Sequence, residues 1–221
     1  MEKDGDTKRN ILKTAEMLIG NESVCSITTR RIAEEADVNP AALNYHFGSK
    51  EELIDLVLSR MMDRVFNDWQ RILEIQDMAL PVRLYCLIDH SMESIIKYPG
   101  MLSSHLFDPM VSKEKRIAFA GRLGGFLRSL PVHLEEELPL QADEIRLNLG
   151  QVILSSICAA AVPELFREIA QEDISSGPAR SRFITGLMRR FLRIDIKASE
   201  IIQSDIARVR KLAFTEREME R

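Results

Sequence analysis

The chain reads ITTRRIAEEADVNPAALNYHFGSKEEL from Ile27 to Leu53, and three helix starts follow one another inside this stretch. Thr28 is placed to cap a short helix that reaches Ala36, with Ile32, Ala33 and Ala36 on its buried face. Asn39 followed by Pro40 is a cap with proline at the first helical position, which opens a second short helix. Ser49-Lys50-Glu51-Glu52 has the spacing of a capping box, with Ser49 as cap and Glu52 reaching back, and starts a long helix from Lys50 to about Leu73. Starts this close together leave room only for tight turns. Val38 plugs the angle between the two short helices. Leu43 and Phe47 lie four apart and share the buried face of the second, which turns Ala41, Ala42, Asn44, Tyr45 and His46 outward.

A helix with small residues at its N-terminal end can approach the floor of a groove closely, and the polar and aromatic residues behind them supply hydrogen bonds. Those are the requirements of a recognition helix in the major groove of DNA. At this point the stretch resembles the tetracycline-repressor (TetR) family of bacterial regulators. The resemblance is carried by Thr28-Thr29-Arg30-Arg31-Ile32-Ala33, Val38, Leu43, Tyr45-His46-Phe47 and Ser49-Lys50-Glu51-Glu52-Leu53, and covers roughly Arg9 to Leu58. Carried over by position, it implies a DNA-binding set of Thr28, Thr29, Arg30, Pro40, Ala41, Ala42, Asn44, Tyr45, His46 and Lys50. Thr29 would bond a phosphate, and Arg30 a phosphate or a guanine edge. Pro40, Ala41 and Ala42 would approach bases or thymine methyls. Asn44 and Tyr45 would contact backbone or base edges, and His46 and Lys50 phosphates. Two residues depart from the family pattern. Asp37 stands where glycine is common, and tolerates the left-handed turn. Asn44 stands where tyrosine is common, and can bond adenine through both its amide atoms.

Charge does not lead to DNA. The 221 residues carry a net charge of -4, and between Met1 and Leu58 seven Lys/Arg face eleven Asp/Glu. A phosphate-binding surface here must be a local arrangement of cations. The composition, 45% hydrophobic with 10 Gly and 8 Pro, favours long helices. The N-terminal ten residues are polar and contain no signal-peptide core. The longest apolar run, Val152 to Val162, holds two serines and falls short of the ~20 residues a membrane span needs. Cys25, Cys86 and Cys158 are far apart and odd in number, which suits a reducing cytoplasm. The apolar neighbours of Cys86 and Cys158 suggest buried, inert thiols.

Working outward, the chain reads as all-α. A helix from about Lys8 to Ile19 ends at Gly20-Asn21. Beyond the long helix, others run from Pro81 to about Lys97, then to about Phe107, from about Ser112 to Leu130, from about Asp143 to Ala170 with Pro163 as a point of bending, to about Asp195, and from about Ala198 to Ala213. The resemblance implies an N-terminal three-helix helix-turn-helix domain, residues 1–55, followed by a larger helical ligand-binding and dimerisation domain, residues 56–221. Candidate pocket residues are Trp69, Tyr85, His90, Met92, Met101, His105, Phe107 and Phe126. The expected dimer interface is Ile153, Ile157, Ala160 and Ala161 on one helix with Ile184, Leu187, Met188 and Phe191 on the next, forming a four-helix bundle across a two-fold axis. One short recognition helix makes too few contacts for tight specific binding, which independently calls for a homodimer.

The expected partners are double-stranded operator DNA, a small-molecule effector of unknown identity and a second copy of the chain. The expected function is a transcriptional regulator, a repressor released from a palindromic operator by its effector; an activator of the same kind is the alternative within the family. The alternative from another class is an all-helical enzyme or interaction module. No GxxxxGK, HExxH or GxSxG motif is present to support catalysis, and no cofactor or metal is implied.

Overall fold

A computed structural model describes residues 2–106, 113–129, 138, 140–196 and 204–211. All regular structure among them is helical. The elements are α1 (Glu2–Asn21), a 3-10 turn (Val24–Ser26), α2 (Thr29–Glu35), α3 (Pro40–Phe47), α4 (Lys50–Leu73), α5 (Leu80–Lys97), α6 (Pro99–Leu106), α7 (Lys113–Ser129), α8 (Ala142–Ala161), α9 (Pro163–Ala170) and α10 (Gly177–Leu192). Residues 204–211 form a further helical segment. The fold is thus all-α, with a cluster of short helices near the N-terminus and a larger helical bundle after it.

The chain divides into two compact units, one of residues 1–64 and 97–120, the other of residues 65–96 and 121–221. In the first unit α1 packs on α2, α3 and α6, and α2 packs on α3. Its buried side chains include Ile11, Ile19, Ile27, Ile32, Leu43 and Leu53, all fully enclosed. In the second, α8 packs against α9 and α10. Nearly every turn of α5 is buried, from Leu80 through His90 to Ile95.

Helix α1 departs from the sequence expectation at both ends. It begins six residues before Lys8, in a polar stretch that adds nothing to the apolar stripe that periodicity detects. An Arg9–Asp6 ion pair at 2.6 Å spans one of these turns. It also continues through Gly20 to Asn21, and the bare side of Gly20 faces the ring of Tyr98. The expected bend at Pro163 is a break: α8 ends at Ala161 and α9 leaves it at 102°. Proline has no N–H to continue the ladder, and its ring would meet the carbonyl one turn back. The last expected helix is seen as residues 204–211, while the remainder of 198–213 lies outside the described residues. The seen part packs on its own chain. Val209 is buried, Arg208 forms a two-pronged pair with Asp77 at 2.8 and 2.9 Å, and Arg210 reaches Glu93 at 2.9 Å.

Candidate nucleic-acid interface and apolar cavity

The short helices are set by their caps. Thr28 Oγ1 accepts from the Arg31 N–H at 3.2 Å, and Asn39 Oδ1 from the Ala41 N–H at 2.8 Å. Between the helices Asp37 adopts φ 53, the left-handed conformation that an Asp allows at modest cost. Val38 then donates its N–H to the Ala33 carbonyl at 3.0 Å, which closes the turn. At the far end Gly48 takes φ 76 and donates to the Asn44 carbonyl at 2.9 Å. Ser49 Oγ accepts from the Glu52 N–H at 3.1 Å. The Ser49 N–H turns back to the Phe47 carbonyl at 2.9 Å, and the Glu52 carboxylate lies over the bare face of Gly48.

Leu43 and Phe47 are buried, and Lys8 places its ammonium 5.9 Å from the Phe47 ring centre. The opposite face of α3 is open. Pro40, Ala41, Asn44 and Tyr45 are exposed, and Ala42, His46 and Lys50 half-buried. Tyr45 is 78% exposed, an unusual state for so large an apolar ring, and is held edge-on to His46 at 5.0 Å. Thr28 is exposed and Thr29 half-buried at the start of α2. The structure therefore brings the sequence-derived residues of α2 and α3 together at the surface.

Two neighbouring arginines on α2 differ sharply. Arg31 places Nη1 and Nη2 on the two oxygens of Glu22, each at 2.7 Å, and Nε on Glu35 at 3.0 Å. These hydrogen bonds, more than simple charge attraction, hold Glu22 below the usual carboxylate range and raise Arg31 further above its own. Arg31 is a clamp between the end of α1 and α2. Arg30 points outward and donates through Nε to Glu34 Oε1 at 2.7 Å, a hydrogen bond that raises its pKa. Glu34 escaped the reading of the sequence, although its i,i+4 spacing from Arg30 was a legible signal.

In the second unit, Trp69, Leu87, Ile88, Ser91, Met92, Ile95, Ile153, Ser156 and Ile157 line a small cavity among α4, α5 and α8. The space open to the centre of a water-sized sphere is about 10 Å³, room for about one water. Its polar groups are already engaged. Trp69 Nε1 donates to Ser91 Oγ at 2.8 Å, Ser91 Oγ to the Leu87 carbonyl at 2.6 Å and Ser156 Oγ to the Val152 carbonyl at 2.8 Å. Of the pocket residues read from sequence, Trp69 and Met92 are in the lining. Phe126 packs on Trp69 and Phe66, at ring separations of 5.1 and 5.9 Å. His90 is buried 3.9 Å from the Asp68 carboxylate. Tyr85 is buried beside the Asp89–Arg180 ion pair, and burial raises its pKa against a hydrogen bond with Ser181. The side chains of Met101 and His105, and all of Phe107, lie outside the described residues.

The expected dimer face of α8 is turned inward. Ile153 and Ile157 line the cavity, and Ala160, Ile184 and Met188 are buried in the same unit; Ala161, Leu187 and Phe191 are half-buried. Helical periodicity identifies this apolar face without saying whether its own chain or a second copy covers it. The uncovered face of α8 carries Leu147 and Leu154, at 64% and 55% exposure, and is followed by Val162, Leu165 and Ile169. Cys158 lies on this open face, contrary to the burial expected for it. Cys86 is buried as expected, and desolvation pushes its thiol up to about 12. Among the described residues no three His, Cys, Asp or Glu side chains converge as metal ligands, and no single helix is long and apolar enough to cross a membrane.

The same residues carry the likeness to known proteins. Residues 11–57 match the family described as bacterial regulatory proteins, tetR family. The nucleoid occlusion factors SlmA of two Aliivibrio fischeri strains, MJ11 and ATCC 700601 / ES114, are each 38% identical to this chain over 60 residues, 27% of this chain. The match spans 31% of the length of each of these relatives. Among solved structures, a Clostridium perfringens protein described as a fatty acid metabolism regulator superposes with a TM-score of 0.55 at 14% identity, covering 85% of this chain and 100% of its own. Mycobacterium smegmatis AmtR does so with a TM-score of 0.55 at 20% identity, covering 90% and 92%. At such identities the likeness is one of fold, and it extends well beyond the matched segment. Residues 11–57 are thus similar to the tetR family of bacterial regulatory proteins, and the chain as a whole shares the all-helical fold of these two solved structures.

Proposed function

We propose that this chain is a DNA-binding transcriptional regulator, a homodimer that holds a palindromic double-stranded operator and releases it when a small-molecule effector binds. The observation that carries the reading is the open face of α3. A capped helix anchored by Leu43 and Phe47 presents Pro40, Ala41, Asn44 and Tyr45 to solvent, with an aromatic side chain 78% exposed. Small residues at the leading end suit close approach to base edges. Asn44 and Tyr45 supply hydrogen bonds, while Thr28, Thr29, His46 and Lys50 suit phosphate contacts.

The dimer uses the outward stripe of α8, Leu147, Leu154 and Cys158, with Val162, Leu165 and Ile169 beyond it. Apolar side chains grouped in this way on a folded chain favour a protein partner, and a palindromic site calls for a second copy. The effector is apolar, because every polar group lining the cavity is already hydrogen-bonded within the chain. The closed cavity is far smaller than the ~300 Å³ or more of a ligand pocket, so binding requires α4, α5 and α8 to part. Helix α4 carries Lys50 at its first turn and Trp69 on its last turns, which makes it the lever. The effector would shift the population toward an arrangement whose recognition helices no longer match successive major grooves.

The test is selection of bound duplexes from a random pool, followed by mobility-shift titration of the enriched DNA. Tyr45→Ala with Lys50→Ala is expected to lose binding by at least tenfold while the dimer mass is retained. Undiminished binding by this variant would overturn the reading.

A further inference from the structure

The contact between Arg30 and Glu34 leaves one particular edge of the arginine available. Glu34 Oε1 takes Nε at 2.7 Å, while the two side chains remain 84% and 61% exposed. A guanidinium is a planar fork with one donor on Nε and two on each terminal nitrogen. With Nε occupied, the side-on edge is blocked and the end-on edge of Nη1 and Nη2 is left to a partner. That edge matches the O6 and N7 acceptors that guanine shows in the major groove. Arg31 has no such edge, since Glu22 and Glu35 engage all three of its nitrogens. Arg30 and Glu34 stand one turn apart on the outward side of α2, in the same unit as the exposed face of α3.

We propose that Glu34 is a positioning residue for base readout. By holding Nε it presents the Nη1–Nη2 edge of Arg30 to a guanine, and its negative charge disfavours binding to phosphates alone. The inference rests on the DNA-binding reading above and adds to it a source of discrimination between the operator and bulk DNA. Removing Glu34 then has effects of opposite sign. Operator binding weakens, because a mobile arginine must be ordered on contact. Binding to random DNA strengthens or holds, because a charge that repels phosphates is gone. A carboxylate that merely competed for Arg30 would, on removal, tighten both. A solvated surface pair would change neither.

The experiment uses the full-length chain and two duplexes of about 30 base pairs, long enough for two half-sites one or two helical turns apart. One is enriched from a random pool by wild-type protein and the other is of random sequence, both read by fluorescence anisotropy at fixed salt. Glu34→Ala is expected to bind the enriched duplex about tenfold more weakly, the lower end of one bidentate base contact, and the random duplex at least as tightly as wild type. Glu34→Gln keeps an oxygen that accepts from Nε and is expected to stay within about threefold of wild type on the enriched duplex. Arg30→Ala is expected to weaken enriched binding, with Glu34→Ala adding nothing on top of it. Unchanged or tighter binding of Glu34→Ala to the enriched duplex, or additive losses with Arg30→Ala, overturns the inference and leaves the DNA reading standing. A wild-type chain that enriches no duplex and binds neither at low salt overturns both.

Discussion

Asp89 and Arg180 are 91 positions apart, yet Arg180 Nε reaches Asp89 Oδ1 at 2.7 Å with both side chains under a tenth exposed. The pair ties α5 to α10, and Arg180 also donates to the Ser175 carbonyl at 3.2 Å. Two charges buried together are tolerable because each satisfies the other, and removing one strands its partner. Asp89→Ala is therefore expected to lower the unfolding free energy by about 3–5 kcal/mol, read from urea denaturation of the full chain. Replacing both with apolar residues of similar volume, Asp89→Leu with Arg180→Met, is expected to recover most of that loss. A single variant as stable as wild type would show that the pair holds nothing in place. An Asp inside an apolar helical run is visible in the sequence. The arginine that makes it tolerable is not, because no local pattern links positions so far apart.

At the scale of elements, punctuation in the sequence carried the reading furthest. Thr28, Asn39 and Ser49 each accept the backbone hydrogen bond that their placement predicts, and Asp37 takes the left-handed turn. Close packing between helices is less legible. Gly100 sits at the start of α6 against the end of α1. A Cβ there would meet the Ile19 carbonyl oxygen and come within 2.5 Å of the Glu22 carbonyl oxygen and 2.8 Å of its nitrogen. Those are backbone atoms, which cannot turn aside. In the sequence Tyr98-Pro99-Gly100 reads as a helix stop, and the same glycine lets two helices approach. Gly100→Ala is expected to cost about 1–3 kcal/mol through overpacking, measured as a lower melting temperature in circular dichroism. An unchanged melting temperature would mean that α6 can withdraw from α1 freely.

For the molecule as a whole, the proposed dimer needs a surface on which a second copy can sit. The open stripe of Leu147, Leu154, Val162, Leu165 and Ile169 makes a specific expectation. Leu154→Asp should convert a dimer of the 25.2 kDa chain to monomer in sedimentation analysis, with helicity retained, because the side chain is exposed and contributes little to its own core. An Ile157→Asp variant should instead unfold the second unit, since Ile157 is 8% exposed and lines the cavity. If Leu154→Asp stays dimeric, the interface lies elsewhere.

The sequence alone determined the helical class, the three capped helices from Thr28 to Lys50 and the outward set on α3. Each is governed by residues within a turn or two of one another, so spacing and cap chemistry suffice. Tertiary structure decided that the chain itself covers the Ile153 and Ile157 face of α8, that Cys158 is open, and that Arg31 is clamped while Arg30 keeps an edge free. These depend on where segments distant in the chain come to lie. A helical pattern records that a face is apolar, and only the packed chain settles what covers it.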